Sequence, residues 1–545
     1  MSRSEVRSQS VPSDDEVNVI DQRKHGEPGH RSLLDRTDLA RMLGLMALGL
    51  GLRLLYFSGF GLADDQIFRG NIAFVLNNRT LTGDNVGYRL TWLLPTALFC
   101  KIFGLTEPCM IVPIITTATL GIGLIYVFGK ALWGRQGGLI AALLLIVHPL
   151  DFSFSTMLVN DIPLSFFSAL SILCALRALQ HEDAAWRCRL WILAGVSFWL
   201  AFQAKISAVF LAPAFAAICW TNRRRLGPQF LDFLVTVGAL FGATILAYYL
   251  FAGDPLAPYH AELRYQGLVG PEAPAHRLTA DWFWMYPKLL FLPDRLGGLQ
   301  FSVYPYLLVA FATAGWFLSI RTSSEVFWWF FFVFMGMQFN IQRAGDVWIT
   351  GFRNIRHAHM FVYPLILLLT GYFVSLRFKH PRVCYGALAV VILFSTWQSS
   401  AAASKTQIAF ADRRNVCRFL TTMPQKVIYS DGAIYTWCAI LEAKGRVWQF
   451  KELHSFDPEK RRAEIAAITS GYLVTGGGRE PHYGCYDCIP KANELPPSKW
   501  QLLKEFPGPA EPSPWRPEPL RLWEAREDLV GDGSRAGTTA LAPSD

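Results

Sequence analysis

Long apolar segments alternate with short polar segments along the chain between residues 39 and 397. Apolar segments of about 17–25 residues are long enough to cross a bilayer as helices, and several here are shorter than that. The predicted spans are residues 39–60, 109–128, 137–150, 162–178, 190–203, 206–220, 233–251, 302–320, 326–339, 358–376 and 383–397. This pattern predicts an α-helical polytopic membrane protein with about eleven spans, whose membrane domain covers residues 39–403.

The composition supports a membrane protein and argues against a nucleic-acid partner. Of 545 residues, 52% are hydrophobic and only 17% are charged, whereas soluble domains usually carry about 25% charged residues. The net charge of +9 does not indicate nucleic-acid binding, because most basic residues lie in short loops between apolar segments, where positive charge sets topology. We find no zinc-finger, RNA-binding or helix-turn-helix pattern. Membrane lipids are therefore the expected surroundings.

Polar segments flank the predicted membrane domain on both sides. Residues 1–38 are polar and mixed in charge, which predicts a disordered cytoplasmic tail followed by a retained signal anchor. Residues 404–505 predict a small α/β domain, and residues 506–545 predict a Pro-rich and flexible tail. Within the α/β domain, the predicted strands are residues 426–431 and 471–474, and the predicted helices are residues 412–421, 433–443 and 458–468.

Four of the ten cysteines, Cys417, Cys438, Cys485 and Cys488, fall in the α/β domain. An oxidising compartment favours disulfides, and four cysteines allow three pairings, which the sequence leaves open. The alternative for Cys485 and Cys488 is a metal or redox site, but no second CxxC motif accompanies them. No ligand spacing elsewhere in the sequence identifies a cofactor. The sequence leaves a requirement for a divalent metal open.

Basic residues concentrate on alternate loops, which predicts the orientation of the chain. The loops expected on the cytoplasmic side carry Lys130, Arg135, Arg177, Arg187, Arg189, Arg223, Arg224, Arg225, Arg321, Arg377, Lys379 and Arg382. The opposite side receives the first loop, residues 61–108, and the α/β domain. This alternation requires that the apolar segment 90–104 does not cross, so we predict interfacial helices there and near residues 67–76.

Ionisable residues gather at the outer ends of the predicted spans, where they indicate a working site. Acids come from early segments and most of the bases come from later ones: Asp64, Asp65, Arg89, Asp161, Lys205, Arg353, Arg356, His357 and His359. A carboxylate beside a second carboxylate can act as a general base toward an acceptor hydroxyl or amine. Arginine side chains match phosphate oxygens. Together these groups suit transfer from a lipid phosphate.

Structural roles are the alternatives for each of these groups. Asp64 and Asp65 could cap the following helix, and Asp161 could cap a helix with Pro163 in its first turn. Lys205 could extend to the membrane interface. The late basic cluster could anchor lipid headgroups or form salt bridges to the early aspartates.

Several motifs, in order, resemble the polytopic GT-C glycosyltransferases, in particular the protein O-mannosyltransferase and aminoarabinose-transferase-like group (glycosyltransferase family 39-like). The matching segments are GLADDQIFRGNIAFVL (61–76), VNDIPLSFF (159–167), LAFQAKISAVFLAP (200–213) and RNIRHAHMFVYPLILLL (353–369). The resemblance implies that Asp64 is the catalytic base and that Asp65 and Asp161 shape the site. It also implies that Lys205, Arg353, Arg356 and His357 bind the donor phosphate.

The resemblance implies an inverting transfer from a polyprenyl-phosphate-linked sugar to an acceptor lipid, glycan or protein on the extracytoplasmic face. The expected location is a bacterial inner (cell) membrane, or the endoplasmic reticulum membrane in a eukaryote. Departures from the family pattern affect acceptor recognition. The basic-Pro-Pro stretch often found near the end of the first loop in that family is absent here, and the segment GYRLTWLLP (87–95) offers only Arg89. The alternative functions are a lipid or glycolipid flippase or transporter, and a non-catalytic membrane scaffold.

Overall fold

A computed structural model describes most of the predicted membrane domain and much of the C-terminal domain. The described residues are 34–57, 59, 65–78, 81, 83, 86–268, 284, 286, 295–296, 299–300, 324–344, 347–350, 355–409, 411–430, 434, 438, 449–453, 458–476, 491–496, 498–507 and 519–526. The predicted span at 302–320 and most of the predicted tail at residues 1–38 lie outside them.

The described residues between 34 and 409 form a largely helical assembly. Its helices are α1 (Arg36–Leu55), α2 (Asp65–Asn78), α3 (Leu90–Phe103), α4 (Glu107–Ile146), α5 (Pro149–Phe154), α6 (Asp161–Gln180), α7 (Ala184–Ala204), α8 (Leu211–Thr221), α9 (Phe230–Ala252), α10 (Ala257–Leu268), α11 (Ser324–Gln338), α12 (Val362–Lys379) and α13 (Pro381–Ala409). Two 3₁₀ helices, Ile206–Phe210 and Ile355–Phe361, precede α8 and α12. Two short hairpins join β1 (Arg295–Leu296) to β2 (Leu299–Gln300) and β3 (Ile341–Ala344) to β4 (Val347–Thr350).

Helix α4 contains the helix predicted at residues 109–128 and most of the one predicted at 137–150, which ends at Ile146. The backbone leaves helical geometry at Trp133 and Gly134, where the glycine takes φ = 73°. The chain reverses there, and a Cβ atom at Gly129 would lie only 2.6 Å from the carbonyl oxygen of Gly137. Glycine at these positions allows the two halves of α4 to pack at backbone contact.

Most of the other predicted spans are helical in the structure, and their boundaries shift by a few residues. Five segments among the described residues are long and apolar enough to cross a membrane, judged by length and composition. They are Glu107–Ile146, Asp161–Gln180, Phe230–Ala252, Arg356–Arg377 and Pro381–Ser404. Helices α2 and α3 also form where interfacial helices were predicted. The number of spans and the interfacial placement stay predictions.

The beginning of α1 is fixed to the turn of α4 by a buried carboxylate. Asp38 is fully buried, forms an ion pair with Lys130, and accepts hydrogen bonds from Tyr126 Oη at 3.0 Å and Arg135 Nε at 2.8 Å. The side chain of Asp35 caps the helix, which begins at Arg36 rather than after residue 38 as predicted. The N-terminus of α1 and the turn of α4 therefore lie at the same end of the molecule.

This end is predicted to face the cytoplasm, and the C-terminal domain is predicted to face the opposite side. Reporter fusions at Arg135 and at Gly478 should therefore report opposite compartments, measured with a phosphatase and a fluorescent protein that each work on one side only. A fusion at Lys130 is the matched control for Arg135. Reporters at Arg135 and Gly478 that fall on the same side would contradict the predicted orientation.

Among its described residues, the C-terminal domain is a five-stranded mixed sheet with helices, which agrees with the predicted α/β class. The predicted helix at 433–443 lies outside the described residues apart from positions 434 and 438. Its elements are α14 (Ala411–Thr422), β5 (Ile428–Ser430), β6 (Phe450–Glu452), α15 (Pro458–Ala467), β7 (Tyr472–Thr475), β8 (Trp500–Phe506) and β9 (Leu520–Ala525). The strand order is β6-β5-β7-β9-β8, in which β5 is parallel to β6 and β7, and β9 is antiparallel to β7 and β8.

The sheet continues beyond residue 505, so the prediction of an extended tail is wrong for β9. Leu520 and Leu522 are 1% and 0% exposed, and the residues that follow each of them, Arg521 and Trp523, are partly buried. This short alternating run follows a proline-rich stretch, which hid its strand periodicity. Residues 527–545 lie outside the described part.

A disulfide and an ion pair stabilise the C-terminal domain. Cys417 of α14 is bonded to Cys438, which selects one of the pairings left open by the sequence, whereas Cys485 and Cys488 lie outside the described residues. Arg461 forms an ion pair with Glu494. Burial disfavours the Glu494 carboxylate, but the hydrogen bond and charge of Arg461 outweigh it and lower its pKa.

The C-terminal domain packs against the first loop and the beginning of α4. One contiguous apolar core contains Ile72 of α2 and Trp92 of α3 together with Leu420 of α14. Beside it, Arg414 of α14 donates a hydrogen bond to Glu107 at the first turn of α4, with an N–O distance of 3.1 Å. The domain therefore lies at the end of the assembly opposite the turn of α4.

Candidate active site

Three of the predicted site residues form a buried ionic cluster. Asp161, at the first turn of α6, is fully buried, and its Oδ1 accepts a hydrogen bond from Lys205 Nζ at 2.7 Å. Its Oδ2 lies 3.7 Å from Arg356 Nε. Lys205 and Arg356 are only 9% and 6% exposed. Lys205 and Arg356, which follow Asp161 by 44 and 195 positions in the chain, therefore lie beside the same carboxylate.

The packing of α6 against α7 explains the pairing of Asp161 with Lys205. The two helices are antiparallel neighbours, so the start of α6 and the end of α7 lie at the same end of the pair. Asn160 Nδ2 donates to the carbonyl oxygen of Ala204 at 2.9 Å, which joins the two junctions directly. Lys205 is extended (φ = −164°) between α7 and the following 3₁₀ helix. That break in the helix turns its side chain toward Asp161.

Two more predicted residues, His357 and Arg89, complete the cluster. His357 follows Arg356 in the 3₁₀ helix, is 8% exposed, and lies within electrostatic range of Lys205, Asp161 and Arg89. Arg89 precedes α3, and its Nη2 lies 3.8 Å from Glu262 Oε2 of α10. The Arg89 and Glu262 side chains are 15% and 24% exposed, so they form the more open rim of the cluster.

The described part of the cluster is rich in cations. Arg89, Lys205 and Arg356 face two carboxylates, those of Asp161 and Glu262, while His357 adds a further ring that can be protonated. Burying charge in a protein is costly unless opposite charge accompanies it. A site of this composition is suited to an anionic group such as a phosphate.

The structural alternatives for Asp161 and Lys205 are wrong. Asn160, not Asp161, is the N-cap of α6, and no side-chain capping hydrogen bond forms there. The Asp161 carboxylate instead accepts from Lys205, and burial of Lys205 excludes a side chain that extends to the interface. For Arg356, burial beside Asp161 argues against a lipid-headgroup anchor. Its 3.7 Å contact with Asp161 agrees with the other structural alternative, a salt bridge to an early aspartate.

The acidic half of the predicted site lies largely outside the described residues. Asp64 and Arg353 are not described, and Asp65 is described only as the first backbone position of α2. The loop that carries the two acids is nevertheless anchored at its start, because the Gly59 amide donates to the carbonyl oxygen of Thr156 at 3.1 Å. The roles of Asp64, Asp65 and Arg353 stay predictions.

A second buried polar cluster was missed by the sequence analysis. Arg53 in the last turn of α1 forms an ion pair with Asp151 of α5, and His359 lies against the same carboxylate. His359 was grouped with the outer bases, but the structure places it in this cluster and not beside Asp161. The available signal was Arg53 itself, a charge within the first apolar segment.

The described residues contain no group of three or more His, Cys, Asp or Glu side chains that could hold a metal ion. The Asp64–Asp65 pair is outside that search, so this finding does not bear on a metal in the first loop.

Comparison with known proteins gives a consistent result for the fold. Residues 90–249 match the model of the dolichyl-phosphate-mannose-protein mannosyltransferase family. This segment contains α3 to α8 and most of α9, and therefore the Asp161–Lys205 pair. No curated protein sequence matches the chain.

Solved structures match over most of the chain at low sequence identity. ArnT from Cupriavidus metallidurans in the apo state is 11% identical, with a TM-score of 0.57 over 89% of this chain and 98% of that one. The same protein bound to undecaprenyl phosphate gives 12% identity and a TM-score of 0.51 over 88% and 97%. An Archaeoglobus fulgidus oligosaccharyltransferase in complex with Zn and sulfate gives 12% identity and a TM-score of 0.51 over 80% and 68%.

These matches cover the helical assembly. The sequence motifs that resemble the GT-C glycosyltransferases lie in the same part of the chain. The chain has the fold of the polytopic GT-C glycosyltransferases, with a small C-terminal sheet domain, and the predicted resemblance to that group is confirmed.

Proposed function

We propose that this protein is an integral-membrane glycosyltransferase that moves a sugar from a polyprenyl-phosphate donor to an acceptor. The observation that carries the proposal is the convergence of Arg89, Asp161, Lys205 and the Arg356–His357 pair in one buried cluster. These residues come from four segments far apart in sequence. The similar fold of a protein solved with undecaprenyl phosphate supports the same class of donor.

In this proposal the cation cluster binds the donor phosphate. As the bond between sugar and phosphate breaks, negative charge develops on the departing phosphate, and fixed cations stabilise that charge best where water is excluded. Arg356 has a planar guanidinium group that can donate to two phosphate oxygens at once, and Lys205 has a compact ammonium charge. Asp161 holds Lys205 in place and offsets part of the positive charge of the free site. Arg353 would add to the same cluster.

The acceptor is activated by Asp64 in this proposal, with Asp65 shaping the pocket. A carboxylate that accepts the proton of the acceptor allows direct attack on the sugar from the face opposite the phosphate, and this single displacement inverts the configuration. The reaction occurs on the extracytoplasmic face of the inner membrane, or of the endoplasmic reticulum in a eukaryote. The acceptor is a lipid, a glycan or a protein.

Purified protein incubated with a synthetic sugar-phosphoprenol and membrane lipid extract tests the proposal. Glycosyl transfer should appear as stoichiometric release of polyprenyl phosphate, resolved by chromatography. A flippase would move labelled donor across vesicle membranes without releasing polyprenyl phosphate, and a scaffold would do neither. Binding of polyprenyl phosphate without any transfer to lipid, glycan or peptide acceptors would contradict the proposed enzyme.

Replacing Arg356 by Ala should weaken donor binding about 10- to 100-fold. The estimate follows from the loss of a hydrogen bond to a charged group, about 1.5–3 kcal/mol. The measurement is the Kd of polyprenyl phosphate in detergent. Arg356→Lys keeps the charge but not the planar guanidinium group, so its Kd should fall between those of wild type and Arg356→Ala.

Arg135→Ala, which removes a cation at the other end of the molecule, is the matched control and should leave the Kd unchanged. A wild-type Kd in the Arg356→Ala variant would remove Arg356 from the phosphate site.

A further inference from the structure

The second buried cluster joins four side chains in an unbroken series, which we call the Arg53 network: Arg53, Asp151, His359 and Ser165. Arg53 forms an ion pair with Asp151 Oδ2, and its Nη1 donates to the carbonyl oxygen of Gly49 at 3.1 Å. Asp151 Oδ1 lies 3.0 Å from His359 Nε2, and His359 Nδ1 lies 2.7 Å from Ser165 Oγ. All four side chains are at most 2% exposed.

The imidazole of His359 connects Asp151 to Ser165. Its Nε2 faces a carboxylate, which accepts, and its Nδ1 pairs with the Ser165 hydroxyl, which can donate or accept. Arg53 Nε also donates to Ser155 Oγ at 3.0 Å. These hydrogen bonds point in different directions and join different helices. Movement of any one of these helices would therefore break a hydrogen bond in an interior without water to replace it.

The network links the elements that carry the candidate site. Ser165 lies one turn after Asp161 on the same face of α6, and His359 lies two residues after His357 in the same 3₁₀ helix. At its other end, Ser155 is adjacent to Thr156, whose carbonyl oxygen accepts from the amide of Gly59 at the start of the first loop.

We propose that Arg53, Asp151 and His359 are positioning residues that set the distance between Asp161 on α6 and the Arg356–His357 pair. They thereby determine the affinity for the donor phosphate, a role that rests on the proposed function. The physical reason is that the two clusters have different roles. The cation cluster contacts the ligand, and the Arg53 network, one helical turn away, prevents α6 and the 3₁₀ helix from sliding past each other.

A role in stability alone makes a different prediction, and Asp38 provides the matched control. Asp38 is also a fully buried carboxylate paired with cations, and it lies in the first turn of the same helix whose last turn carries Arg53. Loss of the Asp151 carboxylate leaves the fully buried Arg53 without its ion pair, whereas the Asp38 partners Lys130 and Arg135 are 21% and 44% exposed. Both substitutions should lower the temperature of thermal unfolding, and Asp38→Asn should lower it less. Only the Asp151 variant should alter donor binding.

The experiment compares Asp151→Asn, Asp38→Asn and Ser165→Ala in the full chain. The readouts are the Kd of polyprenyl phosphate and the midpoint of thermal unfolding. Asp151→Asn should raise the Kd at least about 10-fold, because small displacements of binding groups far from the ligand have large effects. Asp38→Asn should leave the Kd at the wild-type value. Ser165→Ala removes one neutral hydroxyl, so it should fold even where Asp151→Asn does not, and should raise the Kd by a smaller factor.

His359→Gln is the conservative variant, because its amide can still donate to Asp151, and it should bind better than His359→Ala. Wild-type Kd values in Asp151→Asn and Ser165→Ala, or an equal rise in Asp38→Asn, would overturn the positioning role. Failure of the wild-type protein to bind polyprenyl phosphate would instead contradict the proposed function.

Discussion

Replacing Asp64 by Asn should reduce the rate of sugar transfer by about 10²- to 10⁴-fold, the usual contribution of a general base. The amide has nearly the same size as the carboxylate but cannot accept the acceptor's proton. The donor phosphate is held by other residues in the proposed site, so the Kd of polyprenyl phosphate should stay close to the wild-type value. Initial rates at saturating donor, together with the Kd, measure both effects.

The same substitution distinguishes catalysis from helix capping. Asn is as good an N-cap as Asp, so a capping role for Asp64 predicts nearly normal transfer by the Asp64→Asn variant. Asp65→Asn is the neighbouring control and should reduce transfer less, since Asp65 is proposed to shape the pocket rather than accept the proton. Full activity of Asp64→Asn would end the assignment of Asp64 as the base.

Replacing Lys205 by Met should destabilise the protein by about 3–5 kcal/mol, the typical cost of removing one partner of a buried ion pair. Asp161 is fully buried, and the Lys205 ammonium at 2.7 Å is the hydrogen-bond donor to its Oδ1. Methionine keeps the volume of the side chain and removes its charge. The measurement is the free energy of unfolding in mixed micelles, or the shift of the thermal midpoint.

The double variant Lys205→Met/Asp161→Asn separates stability from binding. Removing both charges should recover part of the lost stability, because replacing a whole buried pair is often close to neutral. Recovery is incomplete because Arg356, 3.7 Å from the same carboxylate, loses its opposite charge. Donor binding should not recover, because the lysine that faces the phosphate is still absent. Recovery of donor binding in the double variant would contradict a direct role of Lys205.

Lys130→Met is the matched control for the loss of stability. Lys130 also pairs with a buried carboxylate, Asp38, but that carboxylate keeps its hydrogen bonds from Tyr126 and Arg135. The Lys130 variant should therefore be less destabilised than Lys205→Met. If Lys130→Met lost as much stability as Lys205→Met or more, partners other than Lys205 would be enough to stabilise the Asp161 carboxylate.

Local sequence determined the helices of this protein and the chemical character of its site. Apolar runs require helices in a bilayer, so the boundaries of α6 and α9 follow within a few residues from composition alone. The cluster of bases before α12 was visible for the same reason, because charge next to an apolar run stands out. Strand β9 was missed, since six residues of period two after a proline-rich stretch are a weak signal.

Only the tertiary structure decided which charges meet. Asp161 and Lys205 are each consistent with a local role, and their pairing depends on the antiparallel packing of α6 and α7. Arg53, Asp151 and His359 carry no common motif, and they form one network because three separate helical segments bury them together. The sequence shows where polar residues interrupt the apolar segments, because each interruption is visible from its neighbours in the chain. Their partners follow from packing between distant segments, which no local pattern records.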